Sequence, residues 1–173
     1  LRPYGHVDFK GTMLEAMVEG DYLAPNTTVR VRSVDGGKVI LGNANQLQGS
    51  ARLEGSGTLD MNGLDQLVLN ITGGGGVITN GAGTGTNTLT FSNAVGTTFS
   101  AVIQTNAGGG GAIAVVKTGP GSLNWQANDF YAGGTEIREG TVRIISTTPF
   151  GSGPVNMTGG AIQFQGGSMA NII

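Results

Sequence analysis

The sequence predicts an all-β chain whose short strands stack as repeated coils, a β-solenoid. Three observations point there. First, Gly supplies 33 of 173 residues, beside 19 Thr, 13 Asn and 9 Ser, while charged residues are only 12%. Soluble domains average about 25% charged residues and about 7% Gly, and Gly in a helix interior costs about 1 kcal/mol relative to Ala. An ordinary helical or α/β enzyme domain is therefore excluded. Second, apolar residues alternate with polar ones: Leu59 and Met61, Leu67 and Leu69, Leu89 and Phe91, Leu123 and Trp125, Val142 and Ile144, Ile162 and Phe164. This is the pattern of strands with one buried face. Third, a Gly, a small hydroxylic residue and an aliphatic recur as Gly57-Thr58-Leu59, Gly121-Ser122-Leu123 and Gly140-Thr141-Val142. Such restatement favours stacked coils over a sandwich, because each coil buries its inward side chains against its neighbours.

Taken in order, residues 1–30 read as an N-terminal cap or docking segment. Within them Thr12–Gly20 (TMLEAMVEG) predicts a short helix at residues 13–19, with another strand as the alternative. Thr12 and Glu15 have capping-box spacing, Met13 and Met17 are i, i+4 neighbours like Leu14 and Val18, and Gly20 suits a C-terminal cap. Residues 31–173 read as the solenoid region, with strand candidates already starting at Thr28. They are Thr28–Ser33, Lys38–Leu41, Ala51–Glu54, Thr58–Asn62, Gln66–Thr72, Gly76–Asn80, Thr88–Ser92, Thr97–Thr105, Ala112–Thr118, Ser122–Gln126, Thr135–Arg138, Thr141–Ser146, Val155–Thr158 and Ala161–Gln165. Gly57–Gly63 (GTLDMNG) parallels Gly160–Gly166 (GAIQFQG), and Thr28–Val31 (TVRV) parallels Thr141–Ile144 (TVRI) at a different offset. The change of offset predicts an insertion near Val34–Asn43. The runs Gly73–Gly76 and Gly108–Gly111 read as corners, where Gly reaches positive φ freely. They lack the Lys and the following helix of a phosphate-binding loop.

Residues 112–167 carry a further pattern. Val115, Val116, Lys117, Gly119, Gly121 and Leu123 are followed by Asn128, Phe130, Gly133, Gly134 and Thr135. Then come Gly140, Thr141, Val142, Phe150, Gly151, Gly153, Val155, Gly159 and Gly160. This string resembles the passenger-associated transport repeat, also called the autotransporter-associated β-strand repeat. Residues 47–106 resemble the stretch that separates two such repeats; residues 1–46 depart from it. The resemblance implies a right-handed parallel β-helix in a large bacterial surface or secreted protein, with a structural role in secretion, folding or a stalk. It assigns structural roles to Lys117, Gly119, Gly121, Leu123, Gly133, Gly134, Thr135, Gly140, Thr141, Val142, Gly151 and Gly153.

Chemistry finds little footing in the residues. His6 is the one histidine and there is no Cys, which excludes three-His zinc sites and thiol catalysis. His6 lies near Asp8, and a packing or surface role is the simpler reading than a Ser-His-Asp triad. Glycoside hydrolysis needs two carboxylates about 5–10 Å apart, and Asp60 with Asp65, or Glu136 with Glu139, are the candidates. Asp60 falls on the polar phase of its strand and reads as solvated. Glu136, Arg138 and Arg143 read as outward residues that pair between coils. Trp125, Tyr131 and Tyr22 are candidates for stacking on sugar rings, although Trp125 shares the phase of Leu123. The sequons at Asn26, Asn70 and Asn156 carry little weight. No catalytic, cofactor or metal residue is assigned.

The partner expectations follow. A net charge of −2 gives no basic footprint for nucleic acid. No apolar run is long enough to span a bilayer as a helix. The first residue is Leu1, which reads as a processed chain or a segment of a larger one. Unpaired end strands recruit other chains, and Met169–Ile173 is apolar, so a homo-oligomer or filament through end coils or terminal strands is expected. The functional expectation is a non-enzymatic extracellular or cell-surface segment: a stalk, an adhesin, or a self-assembling filament. Contacts with host or cell-surface glycans are a further expectation. The alternative is a carbohydrate-active enzyme or glycan-binding module on the same fold.

Overall fold

Gly, Asn and Asp punctuate the chain often enough that no strand among the described residues exceeds seven residues. The computed structural model describes residues 4–9, 12–17, 33–35, 37–47, 49–72, 74–82, 84–105 and 109–165. Among the described residues it is all-β, with no helix. The chain divides into two compact units, Leu1–Arg30 and Val31–Ile173.

The first unit holds an antiparallel pair, β1 (Tyr4–Phe9) and β2 (Thr12–Met17), in register from Tyr4↔Met17 to Phe9↔Thr12. The helix expected at residues 13–19 is therefore replaced by a strand over 12–17. The physical reason is length and partner. A two-turn helix is marginal in water, while the preceding YGHVDF segment offers strand pairing along the whole of TMLEAM across a connection of only Lys10 and Gly11. Residues 18–32, with Tyr22, Asn26 and the Thr28–Val31 segment, lie outside the described residues, as do residues 166–173 with Met169–Ile173.

The second unit begins with β3 (Ser33–Asp35) and β4 (Lys38–Ile40), then β5 (Ser50–Glu54), β6 (Thr58–Asp60) and β7 (Gln66–Val68). The same three-step order returns in β8 (Asn70–Thr72), β9 (Val77–Thr79) and β10 (Thr86–Ser92), and in β11 (Thr97–Phe99), β12 (Val102–Ile103) and β13 (Ala112–Thr118). The remaining strands are β14 (Ser122–Trp125), β15 (Thr135–Ile137), β16 (Thr141–Ile144), β17 (Val155–Met157) and β18 (Ala161–Phe164).

Every pairing in this unit is parallel and joins one pass of the chain to the next. The sheets run β7–β10–β13–β15–β17, β11–β14–β16–β18, β4–β6–β9–β12 and β3–β5–β8. Parallel neighbours cannot be joined by a tight hairpin. The chain instead visits another sheet before returning. Val115, Thr135 and Val155 are successive partners, so one return takes 20 residues there. Leu89 to Val115 takes 26. The extra length collects where the chain crosses from the β12 sheet into the β13 sheet. The insertion expected near Val34–Asn43 is absent: Lys38 pairs with Thr58, an ordinary 20-residue return. GTLDMNG and GAIQFQG also lie on different sheets, at β6 and β18, so their likeness is one of strand pattern rather than of place.

Alternation decides the core. Phe99, Trp125 and Ile144 are successive partners on one sheet, Leu59, Ile78 and Ile103 occupy matching places on another, and all are buried. Rings cross edge to face along the interior, with centroids 5.0 Å apart for Phe91–Phe99, 5.4 Å for Phe99–Trp125 and 5.4 Å for Trp125–Phe150. Such geometry adds about 0.5–1.5 kcal/mol per pair beyond area burial.

Candidate functional site

The residues 117–160 that carry the sequence pattern come together as contacts between successive passes. Lys117 takes an inward place between its partners Phe91 and Ile137 and is fully buried. A buried ammonium must be hydrogen-bonded. Its Nζ donates to the carbonyls of Thr118 at 2.6 Å and Gly119 at 2.7 Å, and to Glu139 of the next pass at 3.3 Å. The Glu139 carboxylate accepts from the Gly119 N–H at 3.1 Å. Burial lowers the Lys117 pKa, against the opposing attraction of Glu139.

The glycines let these passes approach. A Cβ on Gly140 would lie 2.5 Å from both the Gly119 and Gly121 carbonyl oxygens, and its φ is +75°. Gly121 donates to Asn93 O at 3.0 Å and Gly133 to Ile113 O at 2.9 Å, while the Gly134 carbonyl accepts from Val115 at 2.9 Å. Leu123 and Val142 pair in the core, and Ser122 pairs with the half-buried Thr141. Thr135 is buried and hydrogen-bonds the Tyr131 hydroxyl. Gly151 and Gly153 lie in the return that follows the buried Phe150, where Ser152 donates to Tyr131 O at 3.0 Å.

A polar pin that the sequence reading passed over lies beside Trp125. Alternation does not stop at Gln126: Leu123, Trp125, Ala127, Asp129 and Tyr131 are all buried, with exposed residues between them from Gln126 onward. Asp129 is thus carried inward by the phase of Leu123, which is the signal that could have found it. Its carboxylate accepts from the Ile103 N–H at 2.6 Å and from the Trp125 indole N–H. Burial pushes its pKa up to about 7, against the pull of those two N–H groups. Burial also raises the Tyr131 hydroxyl. One residue earlier, the exposed Asn128 accepts at Oδ1 from Thr147 N at 3.0 Å and Thr148 N at 3.1 Å, tying it to the next pass.

No family model, no curated protein and no solved structure matches the chain. What the arrangement can do is read from the residues alone. Asp60, expected to be solvated, is buried. Alternation fails at this corner, where Leu59, Asp60 and Met61 are all buried. Its carboxylate turns back onto Gly81 N at 2.7 Å and Asn62 N at 2.9 Å and pairs with Lys38 Nζ at 2.9 Å. Burial works to raise its pKa, but the Lys38 ammonium and the two N–H groups together hold it below the usual value.

Asp65, its candidate catalytic partner, accepts from Thr88 N at 2.8 Å and from Asn87 at 3.2 Å. Glu136 pairs with Arg138 on its own pass at 2.6 Å rather than between passes, and that bond lowers its pKa. Across passes its carboxylate accepts from the Thr158 hydroxyl at 3.4 Å. Arg143 does bridge passes, donating to Gln163 at 3.0 Å. Trp125 and Tyr131 are buried, which removes both as sugar-stacking platforms.

Proposed function

We propose that residues 31–173 form a right-handed parallel β-helix serving as a non-catalytic structural segment of a bacterial secreted or surface protein, of the passenger-associated transport repeat type. The observation that carries this reading is where the polar groups of the pattern are spent. Lys117 and Asn128, like Asp129 and Asp60 outside the pattern, hold one pass of backbone to another. The repeated return of the chain to the same sheets with parallel pairing supports the β-helix, and parallel crossovers are right-handed in about 98% of cases. Stability in such a stack comes from nearest-neighbour burial, which suits a stalk or the stem of an adhesin. Outward rows such as Thr98, Asn124, Arg143 and Gln163 keep its flank hydrated with little charge.

Small-angle scattering and negative-stain imaging test the shape, and a polysaccharide panel tests for chemistry. An elongated, all-β particle that releases no reducing sugar is expected. A compact particle, or hydrolysis of any polysaccharide, overturns the proposal. The glycan-binding reading has one specific observation, the ring of Phe130, 65% exposed. Glycan-array binding abolished by Phe130→Ala would move the assignment to that reading.

A further inference from the structure

We propose that Asn62-Gly63 is a latent site of covalent self-modification, deamidation through a cyclic imide, which the paired passes hold shut and local opening between them releases. The one reagent beyond the chain itself is water. Asn is a thermolabile residue, and the step is easiest before Gly, which puts no side chain beside its own backbone nitrogen. The sequence holds two such pairs, Asn62-Gly63 and Asn80-Gly81. The fold demands them. Asn62 and Gly63 turn a corner at φ +53° and +73°, left-handed values that Gly and Asn tolerate best. A Cβ on Gly81 would run into the Asp60 carboxylate.

The step needs the Gly63 nitrogen to give up its proton and attack Asn62 Cγ. The N–Cγ bond forms, the Cγ–Nδ2 bond breaks, and ammonia leaves with that proton. Water then opens the ring at either carbonyl, giving aspartate or isoaspartate. In the fold the two reacting groups are drawn to opposite neighbours. The Gly63 N–H donates to Asn80 Oδ1 at 2.6 Å, one pass on, and Asn62 Nδ2 donates to Leu41 O at 2.8 Å, one pass back. The second pair is locked in the same way. The Gly81 N–H donates to Asp60 Oδ1 at 2.7 Å, and Asn80 Nδ2 donates to Asn87 Oδ1 at 3.0 Å and Ala112 O at 3.3 Å. Asn80 is fully buried and Asn62 half-buried, so Asn62 reacts first once the passes part. Isoaspartate adds a backbone carbon next to Met61, whose N–H pairs with Thr79 O at 2.8 Å, and throws the following residues out of register.

Peptide mapping by mass spectrometry after incubation at mildly alkaline pH tests this on the 173-residue chain. In guanidinium both Asn-Gly pairs deamidate; in the fold both lag behind, with Asn62 leading. Asn80→Ala frees the Gly63 N–H and speeds deamidation at Asn62 roughly tenfold over the natural chain. Lys117→Met strips a comparable set of hydrogen bonds from a later pass and leaves the Asn62 rate unchanged, which separates local release from general loss of stability. Hydrogen exchange on the natural chain reads the same lock without a variant: the Gly63 N–H is expected to be protected like the paired N–H of Met61. Unprotected exchange at Gly63 overturns the proposal. So do equal Asn62 rates in Asn80→Ala and Lys117→Met, or deamidation of the folded chain as fast as in guanidinium.

Discussion

Asp129 makes stability depend on pH in a direction opposite to most carboxylates. Its pKa is about 7 in the fold against 3.8 for an ordinary Asp, so the folded chain holds the proton more tightly than the unfolded one. The group's contribution is complete below about pH 4, is lost as pH rises toward about 7, and is constant above that. At about 1.4 kcal/mol per pKa unit the whole loss is about 4 kcal/mol. Of this, about 3 kcal/mol falls between about pH 5 and about pH 8.

Asp129→Asn removes that slope. It also turns an amide N–H toward one of the two donors, Ile103 N–H or Trp125 Nε1–H, at a pH-independent cost of about 1–3 kcal/mol. Urea unfolding followed through Trp125, the single tryptophan, measures both chains. The stability difference between them should change by about 3 kcal/mol across that pH interval, the natural chain losing ground as pH rises. Parallel profiles would refute the reasoning, because the carboxyl would then not be held away from water as described.

Other perturbations grade the remaining contacts, each read by denaturant unfolding. Trp125→Ala empties the site between Phe99 and Phe150 and should cost about 3–5 kcal/mol. Lys117→Met leaves the Thr118, Gly119 and Glu139 carbonyls without their donor and should cost about 1–3 kcal/mol. Gly140→Ala places a Cβ against two carbonyl oxygens at positive φ and should cost more than Gly37→Ala, where φ is +65° but nothing lies within 4 Å and about 1 kcal/mol is expected. Arg138→Ala removes an exposed ion pair and should leave the unfolding midpoint unmoved.

The strands were legible because period-two alternation and Gly punctuation are local signals. Thr58, Ser122 and Thr141 each open a strand directly after a Gly, as the sequence implied. Three things were not legible. The Thr12–Met17 segment satisfies a capping and i, i+4 pattern and a strand pattern together, and only the pairing offered by Tyr4–Phe9 decides between them. Asp60 sits on the polar phase by counting, yet a corner breaks the count, and its burial depends on Lys38 and Gly81, each about one pass away. Lys117 was visible only as a motif letter. The carbonyls that explain it lie partly on the next pass, and contacts between passes have no signature within either pass alone.

The unequal returns have a practical reading. Eleven residues separate Ile78 from Leu89 and twelve separate Ile103 from Val115, but only seven separate Leu59 from Gln66. The neighbouring strands stay paired in register all the same. One seam therefore absorbs changes in chain length without disturbing the strand spacing, and it is where a foreign epitope or recognition loop can be spliced in while the scaffold stays as it is.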